Sequence, residues 1–166
     1  MADFECIVAG VSAVLKERRL LRLSDGSDLT SKIPDVEGLI KVIALTRALI
    51  SWKLNPSEIT LLKEAANLSG RGLAEAMDVP PETVSRWEHG QPMGAHAEKC
   101  FRHLICVILH DRIRSVPFDS ATIAHMKIQT VQGGRHKLRP LAFKRGIFQD
   151  PNSAETFEAW SPEARV

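Results

Sequence analysis

The chain has 166 residues, 44% hydrophobic and 25% charged, with a formal net charge of +2. That length suits one compact domain or two small ones, and the charge balance is too even to single out nucleic acid, a membrane surface or an acidic substrate. Tyr is absent and only 5% of residues are aromatic, so the core must come mainly from Leu, Ile, Val and Ala, which suits helices. Three cysteines, Cys6, Cys100 and Cys106, contain no CxxC pair and do not read as a disulfide framework. Met1 to Leu15 carries Asp3 and Glu5 and lacks a basic leader, so it is not read as a signal peptide. No apolar run approaches the length of a membrane span. The expectation is a soluble, cytoplasmic chain in a reducing compartment.

Residues 1–32 read as a short β-rich module. Phe4 to Leu15 is rich in Val and Ile, Arg18 to Leu23 is a second apolar stretch, and Ser24-Asp25-Gly26-Ser27 signals a turn. Two or three short strands are expected, with a frayed helix as the alternative. Residues 33–114 read as helical. Pro34 and Asp35 mark an entry, and Val36, Leu39, Ile40, Ile43, Ala44 and Leu45 recur at helical spacing to about Leu49. Asn55 is a good N-cap, Pro56 suits the first helical position and Glu58 the first turn of a helix reaching about Asn67. Ser69 caps the next helix, Asp78-Val79-Pro80 forms a turn, Pro81 opens a further helix and Gly90 ends it. A long apolar helix follows from about Ala95 to Ile113. In residues 115–149, Met126 to Val131 reads as a strand, Gly133-Gly134 as a turn, and Arg135 to Lys144 as a returning strand confined to an edge by Pro140. From Asp150 onward the composition predicts a mobile tail.

The segment Leu68 to Gly90 carries the functional signal. Two short helices meet across a tight turn, with Ala74 small at their approach, Val79 in the turn, and Val84 and Trp87 anchoring the second helix from beneath. Glu82, Thr83, Ser85 and Arg86 are left outward. Leu73, Ala74, Val79, Thr83, Val84, Ser85, Arg86, Trp87, Glu88 and Gly90 fit the signature Leu-Ala-x-x-x-x-Val-x-x-x-Thr-Val-Ser-Arg-Trp-Glu-x-Gly. The segment thereby resembles the Cro/cI-like (XRE) helix-turn-helix family. Ile33-Pro34-Asp35-Val36-Glu37-Gly38-Leu39, with Leu54 to Leu68, further resembles the MqsA-type antitoxins and their regulator relatives. The resemblance covers Phe4 to about Ile113. It implies a mainly α fold, a five-helix helix-turn-helix domain with short N-terminal strands, to which the residues after Ser115 add the expectation of a C-terminal β-hairpin. It also implies a homodimer made partly by the N-terminal module, and operator DNA as the partner. The DNA-contacting set expected on this basis is Ser69, Arg71, Glu82, Thr83, Ser85, Arg86 and His89. The chain departs from the family in lacking the zinc-binding CxxC pairs, in having Gly70 where Gln often contacts DNA, and in having Pro80 where Ser or Thr caps the recognition helix.

Pro56 to Gly90 holds six acidic and three basic residues, a poor balance for a duplex with a negative charge about every 1.7 Å. Ser120 to Gln149 holds six cations, Lys127, Arg135, Lys137, Arg139, Lys144 and Arg145, and no acid. The remainder of the +2 chain is therefore at 2 − 6 = −4. A basic hairpin bringing Lys127, Lys137 and Arg139 to the phosphates is one expectation; the alternatives are a solvated basic face or one docking the acidic remainder of a partner subunit. His96, Cys100 and His103 share a helix face, as do Cys106 and His110, and such residues can bind zinc; they read instead as packing, and no metal or cofactor is expected. Glu58, Glu64 and Asp78 make no paired-carboxylate arrangement, and neither a phosphate loop nor a nucleophile motif is present, so no enzyme is expected. The functional expectation is an autoregulatory, dimeric transcriptional repressor; the alternative is an antitoxin that represses its own operon and also binds a toxin.

Overall fold

The computed structural model describes residues 4–8, 11–16, 33–130 and 140–163. The elements are β1 (Phe4–Val8), β2 (Val11–Lys16), α1 (Val36–Ala48), α2 (Pro56–Ala65), α3 (Gly70–Met77), α4 (Pro81–Glu88), α5 (Ala95–His110), α6 (Ser120–Ala124), β3 (Leu141–Gln149) and β4 (Thr156–Pro162). Local chemistry sets the helix starts. Asp35, at a left-handed φ of 50°, accepts from the Gly38 N–H at 3.0 Å. A Cβ at Gly38 would stand 2.1 Å from an Asp35 carboxylate oxygen, so this cap needs glycine there. Asn55 and Glu58 form a reciprocal capping box behind Pro56.

The strands form one sheet in the order β1-β2-β3-β4. β1 and β2 are antiparallel, with Phe4 opposite Leu15. β3 and β4 are antiparallel, with Phe143 opposite Pro162 and Gln149 opposite Thr156. β2 and β3 are parallel, from Ala13 opposite Leu141 to Lys16 opposite Lys144. Parallel neighbours need a crossover, and here the crossover is the chain from α1 through α6. Val11, Ala13, Leu141, Phe143 and Trp160 join the helical core around Leu39, Val42 and Ile43. α1 packs against α2, α5 and β4.

Three expectations change. The segment from Asp150 is not a mobile tail: Thr156–Pro162 is strand β4, and Trp160 is buried. Trp160 donates Nε1–H to the Pro34 carbonyl at 2.9 Å, while its own carbonyl accepts from Ser115 Oγ at 2.6 Å. The hairpin is displaced toward the C-terminus, with β3 lying between β2 and β4, so Pro140 does not confine it to an edge. Pro140 stands just before the strand, where its missing N–H breaks no ladder bond. The segment read as a strand from Met126 makes a single parallel bridge, Gln129 to Trp52, and the short helix α6 precedes it. The expected strand at Arg18 to Leu23, the turn at Ser24 to Ser27 and the turn at Gly133-Gly134 lie outside the described residues. Residues 1–32 and 115–149, read as separate modules, contribute strands to one sheet.

A buried ionic network fixes the connection between α1 and α2. Arg47 donates Nε and Nη2 to the two Glu58 oxygens at 2.7 and 2.8 Å, and donates further to the carbonyls of Trp52 and Lys53. Arg102 donates to Glu98 Oε1 at 2.8 Å and to the carbonyls of Ala48, Ile50 and Trp52. Glu98 also accepts from the Leu54 N–H and from Lys53 Nζ, both at 2.9 Å. Lys53 Nζ donates again to the Met93 carbonyl at 2.7 Å, tying this connection to the one between α4 and α5. Arg47, Glu58, Glu98 and Arg102 are all buried. Burial alone would raise the Glu98 carboxyl, but the hydrogen bonds from Arg102, the Leu54 N–H and Lys53 outweigh it and hold the group below its ordinary value. Burial lowers the Arg102 guanidinium, with Glu98 opposing.

Two outcomes follow. Glu98→Gln leaves Arg102 without its counter-charge, and stability at pH 7 should fall by about 3–5 kcal/mol, the cost of breaking a buried pair. A carboxyl whose folded pKa is depressed contributes stability above its unfolded pKa, about 4.3 for Glu, and loses it as pH falls toward the folded value. Urea titrations below pH 5 should therefore show a steeper loss in the wild type than in Glu98→Gln; parallel pH profiles would count against the network. Removing the Trp160 side chain by Trp160→Ala should cost about 3–5 kcal/mol, read as a lower urea midpoint, whereas a mobile tail would tolerate it.

Candidate nucleic-acid interface

α3 and α4 are short, and their relative position rests on a few contacts. Ser69 caps α3, its Oγ accepting from the Gly72 N–H at 2.9 Å. Leu73 and Ala74 are buried. The turn begins at Asp78 with φ 53°, a left-handed conformation that Asp tolerates better than most residues. The Val79 N–H then bonds the Ala74 carbonyl at 3.0 Å. α4 starts at Pro80-Pro81 with no side-chain cap. Gly90 takes φ 113° in open space, so backbone conformation and not crowding selects glycine. The next N–H, of Gln91, closes on the Arg86 carbonyl at 2.9 Å.

Val84 and Trp87 are the buried residues of α4. Glu88 adds a polar anchor on the same inward side: Lys63 of α2 approaches its Oε1 to 2.5 Å and Thr60 Oγ1 donates to the same oxygen at 3.2 Å. Glu82, Ser85, Arg86 and His89 are exposed, while Thr83 is half-buried. Ser69 and Arg71 are exposed at the start of α3. Among the described residues neither Arg71 nor Arg86 makes an ion pair, whereas Lys41, Lys63, Arg114 and Arg145 are each matched to a carboxylate.

The acidic excess drawn from sequence persists at the surface: with Glu58 taken by Arg47, and Glu88 and Lys63 taken by each other, Glu64, Glu75, Asp78 and Glu82 remain against Arg71 and Arg86. The exposed carboxylates on α3, its turn and α4 are Glu75, Asp78 and Glu82.

The basic stretch is only partly accounted for. Lys127 is exposed and lies beside the Ser51–Lys53 connection, where Gln129 exchanges two backbone hydrogen bonds of 2.9 Å with Ser51 and Lys53. Arg145 is turned to Glu158 at 3.2 Å in the sheet and is not a free cation. Lys137 and Arg139, with Arg135, lie outside the described residues. Sequence reading missed the network of Arg47, Glu58, Glu98 and Arg102. Its signal was phase: Arg47 follows Ile43 by four residues, and Glu98 and Arg102 stand four apart on the side carrying Phe101 and Ile105.

Among the described residues no three His, Cys, Asp or Glu side chains converge to hold a metal ion. Cys100 and His96 are 3.7 Å apart on the exposed side of α5, while Cys106 is buried, which pushes its thiol up to about 12. Phe118 lies against the rings of both His103 and His110. Nor, among the described residues, is any helix long and apolar enough to cross a membrane. No family model, no curated protein and no solved structure matches the chain.

The α4 anchor gives a direct test of this arrangement. Trp87→Ala should lower stability by about 3–5 kcal/mol, a large part of a small domain's total, seen as a lower melting temperature. An unchanged melt would remove Trp87 from the core.

Proposed function

We propose that the chain is a sequence-specific DNA-binding protein that represses transcription, with α4 as the recognition helix. The observation that carries this reading is Arg86. It is exposed and, among the described residues, makes no ion pair, on a helix whose opposite face is held by Val84, Trp87 and the Lys63–Glu88 contact. An arginine so placed is a bidentate donor for guanine O6 and N7 in the major groove. Ser85 and Glu82 stand beside it, one able to meet a phosphate, the other to accept from cytosine N4. Ser69 and Arg71 open α3 on the exposed surface and suit backbone phosphates, which position a protein without specifying sequence.

One helix of this length spans only a few base pairs. A two-fold dimer on a palindromic site, with half-sites about 10 bp apart, supplies the missing specificity. The repressor action is occupancy of a promoter by that dimer.

Random-sequence DNA selection on the purified protein, followed by affinity titration, tests the reading. Selection should enrich a palindrome. Arg86→Ala should lose about 1–3 kcal/mol of discrimination at a guanine in each half-site, with an unchanged circular dichroism spectrum. Unaltered affinity of the variant for the selected site, or a monomer by light scattering both free and on DNA, would overturn it.

A further inference from the structure

His89 ends α4, four residues after Ser85, and its ring folds back over the helix. Its Nδ1 lies 2.6 Å from the Ser85 carbonyl oxygen and 3.5 Å from Ser85 Oγ. A carbonyl oxygen only accepts, so the proton of the neutral imidazole sits on Nδ1. The second nitrogen, Nε2, is then a bare lone pair. His89 is exposed. The helix backbone thus selects the Nδ1–H tautomer of the neutral ring.

Glu82, Arg86 and His89 follow one another at spacings of four and three, forming one exposed stripe of α4. The stripe reads acceptor, donor, acceptor. At about 1.5 Å rise per residue, neighbours along it are about 6 and 4.5 Å apart, one to two base steps of about 3.4 Å. Guanine N7 and O6 match the arginine. A neutral imidazole lone pair matches an exocyclic amine, adenine N6 or cytosine N4, and repels guanine O6, thymine O4 and phosphate oxygens.

We infer that the α4 stripe selects a half-site in which a guanine is flanked by amine-bearing bases, adenine or cytosine, with His89 as a specificity-determining residue accepting through Nε2. The inference rests on the DNA-binding reading above. In the neutral Nδ1–H tautomer, Nε2 has no proton to offer a phosphate oxygen.

The test starts from the selected duplex. The base facing His89 is identified as the position whose preference disappears in His89→Ala. That base is then replaced by its analogue lacking the amine, purine for adenine or pyrimidin-2-one for cytosine, and both proteins are titrated on both duplexes. The wild type should lose about threefold to tenfold more affinity than His89→Ala on removal of the amine, the range of one neutral hydrogen bond. His89→Gln, which retains an accepting oxygen, should restore part of the preference. Equal losses in the two proteins, or a His89→Ala variant weakened alike on all sequences, would overturn the inference while leaving DNA binding standing. No enrichment of any sequence would overturn both.

Discussion

The helical body depends on one requirement: the carbonyls of the connection between α1 and α2 must find donors away from water. A helix ends with orphan carbonyls, and the chain here turns through Leu49 to Leu54 inside the fold. Two guanidiniums meet the demand, Arg47 from α1 itself and Arg102 from α5, reaching the carbonyls of Ala48, Ile50, Trp52 and Lys53. Arginine is the residue for this task because its planar fork serves several acceptors and stays charged. Each guanidinium is balanced by a carboxylate, Glu58 or Glu98. Buried pairs of this kind add little net stability against an apolar alternative. What the network supplies is a single geometry: α1, the start of α2, α5 and, through Lys53, the connection beyond α4 are held to the same few atoms.

The candidate interface is arranged on that base with little material. α3 and α4 have few buried side chains of their own, and Glu88 substitutes polar anchoring for packing by joining Lys63 and Thr60. Because the Glu88 contact consumes Lys63 as well as a carboxylate, it leaves the acidic excess of the outer surface unchanged. The missing side-chain cap at Pro80 is offset by the fixed φ of the two prolines, suited to a first helical turn. Glu82 and Arg86 on α4 make no ion pair among the described residues, the condition under which residues can be selected for contact with something else.

The helices α1 to α5 were legible because their signals are local, while the five-residue α6 is too short to show a period and was missed. Asn55 with Glu58, Ser69, Pro81 and Gly90 each act within one turn of chain, and apolar periodicity supplies the rest. α5 closes at His110, three residues short of the expected end. The strands at the C-terminus were obscured because Pro151, Asn152 and Ser153 resemble the start of a loose end, and they are in fact the turn of a hairpin. β4 also pairs only with a strand, and Trp160 is buried through Pro34, 126 residues away in sequence. No window of sequence contains such a contact. The buried arginines escaped for a different reason. Composition rules place charge outside, and the exceptions are defined by acceptors that only the folded backbone brings together.

The parallel register of β2 and β3 carries a consequence for how the molecule comes into being. Residues 13–16 lie beside residues 141–144, so the first hairpin leaves the ribosome long before its neighbour exists. Until then β2 has one free edge, in a growing chain whose helices can already gather around Arg47 and Arg102. Strand edges left open during synthesis invite pairing with other chains. The sheet is therefore the last part to close, its closure waits on nearly the entire chain, and truncated products would carry the exposed edge permanently.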